Sequence, residues 1–174
     1  MAKTQTPNGA LDQGMKKLSF ILFLVMLASF AQARLNETPA EITARYGTML
    51  NAPTIMGTNL WIGHFRHAGF EIDVTFWKGK CVKEYFQVDD LFSEDAARTM
   101  FSSVTGEGKI TTDRLPIKDD DCSMVNFENL ATGATGQYYR RGIDVGTLTV
   151  EDKRYRDFEA RQSADENKKK LAGF

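Results

Sequence analysis

The side chains able to do chemistry are few and scattered. His64 and His67 are the only histidines, three residues apart in a stretch rich in aromatic and β-branched residues. On a strand, odd spacing sends them to opposite faces, so they cannot share a metal ion. No H-E-x-x-H motif sets two imidazoles on one helix face either. Both histidines read as structural or solvent-facing. No serine sits in a G-x-S-x-G elbow. A hydrolase would therefore need the fold to bring His64 or His67 within hydrogen-bond reach of a serine or an acid in a cleft. Gly106-Glu107-Gly108-Lys109 suggests the end of a phosphate-binding loop, but that motif needs glycine where Ser103 stands and Ser or Thr where Ile110 stands. Asp119-Asp120-Asp121 lacks the alternating ligands and the turn glycine of a calcium loop, and reads as a solvated acidic loop. No motif implies a catalytic residue, a metal or a cofactor.

Cys81 and Cys122 are the only thiols. They are too far apart in sequence for a C-x-x-C redox pair and have no nearby histidine to complete a zinc site. In an oxidising compartment they are expected to form a disulfide. The bridge would close a loop of 42 residues, counting both ends, and stabilise the fold by about 4 kcal/mol on a chain-entropy argument.

The expectation of an oxidising compartment comes from the start of the chain. Met15, Lys16 and Lys17 form a basic n-region, Leu18 to Phe30 is an apolar run, and Ala31-Gln32-Ala33 offers small residues to a signal peptidase. Cleavage is expected after Ala33. The apolar run is shorter than the roughly 20 residues of a membrane span, and an uncleaved N-terminal anchor is the alternative. Residues 1–14 read as a disordered extension, or as upstream of a true start at Met15. The mature chain, Arg34 to Phe174, is a single domain of 141 residues. Removal of residues 1–33 takes away Lys3, Lys16, Lys17 and Asp12, leaving 19 basic and 22 acidic residues, a net charge of -3. The whole chain has a net charge of -1, with no basic excess to suggest nucleic acid. With 42% hydrophobic and 26% charged residues it is neither disordered nor collagen-like.

The elements that must position these residues are marked by caps and periodicity. Thr38-Pro39-Ala40-Glu41 is a capping box with proline at the first helical position, and Gly47 closes a helix over 39–46. Met49 to Asn59 reads as irregular. Leu60 to His67, Phe70 to Phe76 and Cys81 to Val88 read as a three-strand meander with turns at Ala68-Gly69 and Lys78-Gly79-Lys80. A three-residue second turn pairs Phe76 with Val82 and Ile72 with Phe86. It puts Glu84 on the apolar face and Cys81 on the outer face beside Trp77, Lys83 and Tyr85. The disulfide would then draw residues 107–125 across that outer face. Ser93 caps a second helix with the stripe Ala97, Met100, Phe101 and Val104, stopping at Gly106. Residues 107–136 read as loop-rich, with a short strand at Met124 to Leu130. A hairpin follows at 138–150, turning at Arg141-Gly142, with a bulge at Gly146. Tyr155 to Leu171 reads as a charged terminal helix. No repeat appears at solenoid periods.

Glu37-Thr38-Pro39-Ala40-Glu41 through Arg45-Tyr46-Gly47, the stretch Leu91 to Ala97, and the closing Lys169-Lys170-Leu171-Ala172-Gly173-Phe174 resemble short exported bacterial proteins of unassigned function. The resemblance covers about a quarter of the mature chain and implies export. The helix-then-meander opening is also similar, as a likeness of fold, to small α+β envelope proteins of the BamE and β-lactamase-inhibitor type.

The sequence thus predicts a single α+β domain, its antiparallel sheet covered by helices on the face of Phe70, Ile72, Val74 and Phe76. The expected function is that of an exported, periplasmic or secreted, non-enzymatic protein that binds another protein or a component of the cell envelope. Trp61, Trp77 and Tyr85 are the candidate contact residues if exposed, and core residues if not. A small-molecule binder is the first alternative, a small secreted hydrolase the second.

Overall fold

The computed structural model describes residues 35–90, 92–116, 122–142 and 145–172. The signal segment, the cleavage point after Ala33, the residue-1–14 extension and the Asp119–Asp121 run lie outside the described residues. Among those described, three helices and eight strands alternate as helix, four strands, helix, four strands, helix. Helix α1 (Pro39–Tyr46) is followed by β1 (Thr54–Gly57), β2 (Leu60–His67), β3 (Phe70–Trp77) and β4 (Lys80–Val88). Helix α2 (Glu94–Thr105) precedes β5 (Ile110–Leu115), β6 (Cys122–Asn129), β7 (Thr135–Arg141) and β8 (Val145–Glu151), and α3 (Lys153–Ala172) ends the chain.

The α+β class agrees with the sequence reading, but the sheet is larger than a meander plus a hairpin. All eight strands form one antiparallel sheet in the order β1-β2-β3-β4-β8-β7-β6-β5. Each half is a helix followed by a four-strand meander, and the two last strands, β4 and β8, pair at the centre. The region expected to be loop-rich supplies β5 as well as β6, which lies where the short strand at Met124 to Leu130 is expected, and the irregular stretch supplies the short edge strand β1.

Helices α1 and α2 start as their caps require. Thr38 accepts from the Glu41 amide while the Glu41 carboxylate accepts from the Thr38 amide, and the Ser93 hydroxyl accepts from the Ala96 amide. Both helices lie on one face of the sheet. Ile42 and Tyr46 of α1 and Ala97, Phe101 and Val104 of α2 are buried against Phe65, Ile72, Val74, Phe76, Phe86, Phe127, Tyr138 and Leu148. The expected apolar face is therefore the covered one.

The β3–β4 hairpin departs from the expected register. Lys78 and Gly79 both have positive φ (53° and 75°) and make a two-residue turn, so Phe76 pairs with Cys81. The register then shifts between Thr75 and Phe76. Val82 is the extra residue, and from Lys83 onward the pairing is the expected one, with Ile72 opposite Phe86. The bulge turns Cys81 inward, so it is fully buried on the helix face and not on the outer face. The bulge expected at Gly146 is absent: β8 pairs in regular register with both β4 and β7.

No disulfide joins Cys81 and Cys122, so the expected bridge is not formed. Cys122 lies on the opposite sheet face from Cys81, at the start of β6. Strands β4 and β6 are three steps apart in the sheet, about 14 Å at normal strand spacing. A disulfide tolerates at most about 7 Å between Cα atoms. The described residues of the 107–125 segment instead form β5 and the start of β6 within the sheet.

Candidate functional site

The face of the sheet opposite α1 and α2 is largely open. One row of neighbours runs across seven strands: His64, Asp73, Tyr85, Thr149, Gln137, Asn126 and Asp113. The next row runs from Ile62 through Thr75, Lys83, Glu151, Thr135 and Glu128 to Thr111. Period two explains the composition: every second residue of these strands faces away from the core, and most of those in the two rows are polar. All residues of the two rows except His64 line a groove of about 920 Å³.

The groove is acidic. Asp73, Asp113, Glu128, Glu151 and Glu159 line it against the single ammonium of Lys83, which pairs with Glu151 at 3.0 Å. Burial, and then the nearby Asp73 carboxylate, push the Tyr85 phenol above its ordinary pKa, so it remains a neutral hydroxyl. That hydroxyl donates to Gln87 Oε1 at 3.2 Å. The Tyr155 phenol at the α3 end is raised by burial and by its hydrogen bond with Glu159.

At the β1 edge of this face, His64 Nδ1 lies 2.7 Å from Asp73 Oδ1 and its Nε2 lies 3.1 Å from Thr54 Oγ1. The two imidazole nitrogens thus have different partners, one hydroxyl and one carboxylate, in the arrangement by which a hydroxyl is oriented toward a base. The side chains of His64 and Asp73 are 30% and 46% exposed. His67 sits on the other face with its ring 5.7 Å from that of Tyr46. The opposite placement of the two histidines is as the spacing requires.

No known protein family, curated protein or solved structure matches this chain. Function has to be read from the site.

The candidate contact residues are dispersed. Trp61 is half-buried and stacks on Phe76 at 4.1 Å on the helix face. Trp77 is half-buried under α3, stacked on Phe158 at 4.6 Å, with the Lys78 ammonium 4.5 Å over its ring. Tyr85 alone lies in the groove. The structure therefore does not bring the three together. Sequence reasoning missed Thr54, Asp73, Asp113, Asn126 and Glu128. The signal available for them was the polar half of each strand's alternation, but only strand pairing shows that these halves form one surface.

Proposed function

We propose that the protein is an exported, non-enzymatic binding protein that takes a partner of basic surface, a protein or an envelope component, on the open face of its sheet. One observation carries this reading. Helices α1 and α2 both cover the same side, leaving across the other a groove with five carboxylates against one lysine. Such a field favours cationic partners and repels anionic ones. Export rests on the residue 15–33 pattern, and contact with a membrane would come only through that segment if uncleaved.

Photocross-linking in the native envelope fraction tests it. A photoreactive residue at Asn126, in the groove, should trap a discrete basic partner. The same residue at Arg98, on the exposed side of α2, should not. Asp113→Asn with Glu128→Gln should weaken capture, as should raised salt. Equal trapping from both faces, or capture indifferent to the acids, would remove the reading.

A second reading, a small hydrolase, is favoured by the Thr54–His64–Asp73 geometry alone. It predicts hydrolysis of an activated ester that Thr54→Val and His64→Gln both abolish. Turnover unchanged in the two variants would exclude it.

A further inference from the structure

On the helix side of the sheet, at the far end of β6 and β7, a second pocket of about 470 Å³ lies next to the start of α2. Its floor is Val125 and Tyr138, and Leu115 closes one side. Arg114 stands at the rim, gripped by both carboxylate oxygens of Glu94 at 2.9 and 3.0 Å. Arg140 and Ser123, paired across β7 and β6, form the far end.

Arg140 is the anomaly. Its Nε is buried and has no hydrogen-bond partner, the one such side-chain atom found among the described residues. The other half-buried arginines are engaged, Arg45 by Glu37 and Arg156 by Thr135. A guanidinium cannot shed its proton to escape the cost of burial, and its donors match a carboxylate two at a time. A buried Nε–H without an acceptor, on an arginine that lines a pocket, is a donor that a bound ligand would satisfy.

We propose that this pocket binds a small organic monocarboxylate, with the Arg140 guanidinium as its anchor and Ser123 as a second donor. The charge around the pocket selects the class. Among the described lining residues, Arg140 and Arg114 against Glu94 leave one net positive charge, which a monoanion neutralises. A phosphate dianion would bring its second charge toward Glu94. Of the apolar lining residues only Leu115 is exposed, and it offers the ligand one apolar contact at the edge of the pocket. A rotation of Arg140 into the pocket would let Nε and an Nη atom hold the carboxylate together, which satisfies the orphan donor at the same time. This site is separate from the acidic groove and does not depend on the reading of it.

The test is titration of the ¹⁵N-labelled full chain with benzoate, followed at the Arg140 Nε–Hε resonance. Benzoate should move that resonance with a Kd on the order of 1 mM, and neutral benzamide should leave it in place. Inorganic phosphate should bind more weakly than benzoate. By calorimetry, Arg140→Lys should weaken benzoate at least about fivefold, Arg140→Gln should abolish binding, and Arg98→Gln should have no effect. Without ligand, Arg140→Met should raise Tm, since it deletes an unsatisfied buried donor; a purely structural arginine would lower it. Benzoate bound equally by Arg140→Gln, or phosphate bound more tightly than benzoate, would overturn the proposal. So would an Arg140 resonance already shifted in the free protein and returned by Asp119→Asn/Asp120→Asn/Asp121→Asn, which would give the guanidinium to the chain's own acids.

Discussion

Glu84 imposes the strictest polar condition on the core. It is fully buried beneath α1, where the Tyr46 hydroxyl donates to Oε2 at 2.8 Å and the Cys81 thiol stands 3.7 Å from Oε1. A buried carboxylate stripped of a donor keeps its desolvation cost and loses the compensation. Tyr46→Phe, which removes only that hydroxyl, should therefore destabilise the protein by about 1–3 kcal/mol in urea unfolding. An unchanged midpoint would mean that the bond contributes nothing net. Cys81 shares this pocket: burial, and then the Glu84 carboxylate, push its thiol well above its ordinary pKa. Iodoacetamide at neutral pH should accordingly label half-buried Cys122 in the native protein and reach Cys81 only after unfolding, as peptide mass mapping would show. Rapid native labelling of Cys81 would contradict its burial. Glu84 was legible in the sequence as the polar intruder in an apolar alternation. The inward turn of Cys81 was not, because Cys81 and Val82 are both apolar and either parity satisfies the pattern. A bulge is decided by the turn before it and the strand beside it.

At the scale of elements, α2 is seated on missing side chains. A Cβ on Gly136 of β7 would lie 2.5 Å from Phe101 Cδ2 and 3.2 Å from the Thr149 carbonyl oxygen. A Cβ on Gly146 of β8 would lie 2.5 Å from Phe92 Cβ. Gly136→Ala must push α2 off the sheet or force Phe101 from its rotamer, at a cost of about 1–3 kcal/mol. Gly57→Ala, where a Cβ meets nothing within 4 Å, is the control and should be neutral or slightly stabilising. Comparison of the two Tm values tests the seating; equal effects would show that α2 stands further off. Both helices packed on the sheet could be read from their caps and apolar stripes, which are local signals. The strands lost in the reading are β1 and β5. Every residue of β1 is exposed, and β5 buries none fully. Edge strands owe their pairing to a neighbour's backbone and leave little alternation in their own sequence. The Gly146 bulge was expected from a parity break that the structure resolves otherwise, by letting Phe92 cover a regular strand.

The whole molecule is two helix-plus-meander units joined by the β4–β8 pairing, with α3 added after the second. That duplication is invisible in the sequence because what repeats is the order of elements and not the residues. The two units differ in helix length, turn lengths and core side chains. The open face follows from the joining: only together do the two meanders give seven strands of polar rows, which is why the groove could not be read from either half. Helix α3 belongs to this body only at its start. The Asp152 carboxylate accepts from the Arg154 amide at 2.7 Å, Tyr155 is buried, and Phe158 stacks on Trp77. From Glu159 to Lys170 every residue is exposed. A 20-residue helix is about 30 Å long, so more than half of its length has no packed face and stays helical through local propensity alone. Phe158→Ala should thus lower stability by about 1–3 kcal/mol. A stop after Ala164 should leave Tm within about 1 °C of the full chain while reducing helical ellipticity. If the truncation costs as much as Phe158→Ala, the distal helix must be packed against something in solution. A concentration-dependent Tm in the full chain, lost on truncation, would then assign that surface to a second copy.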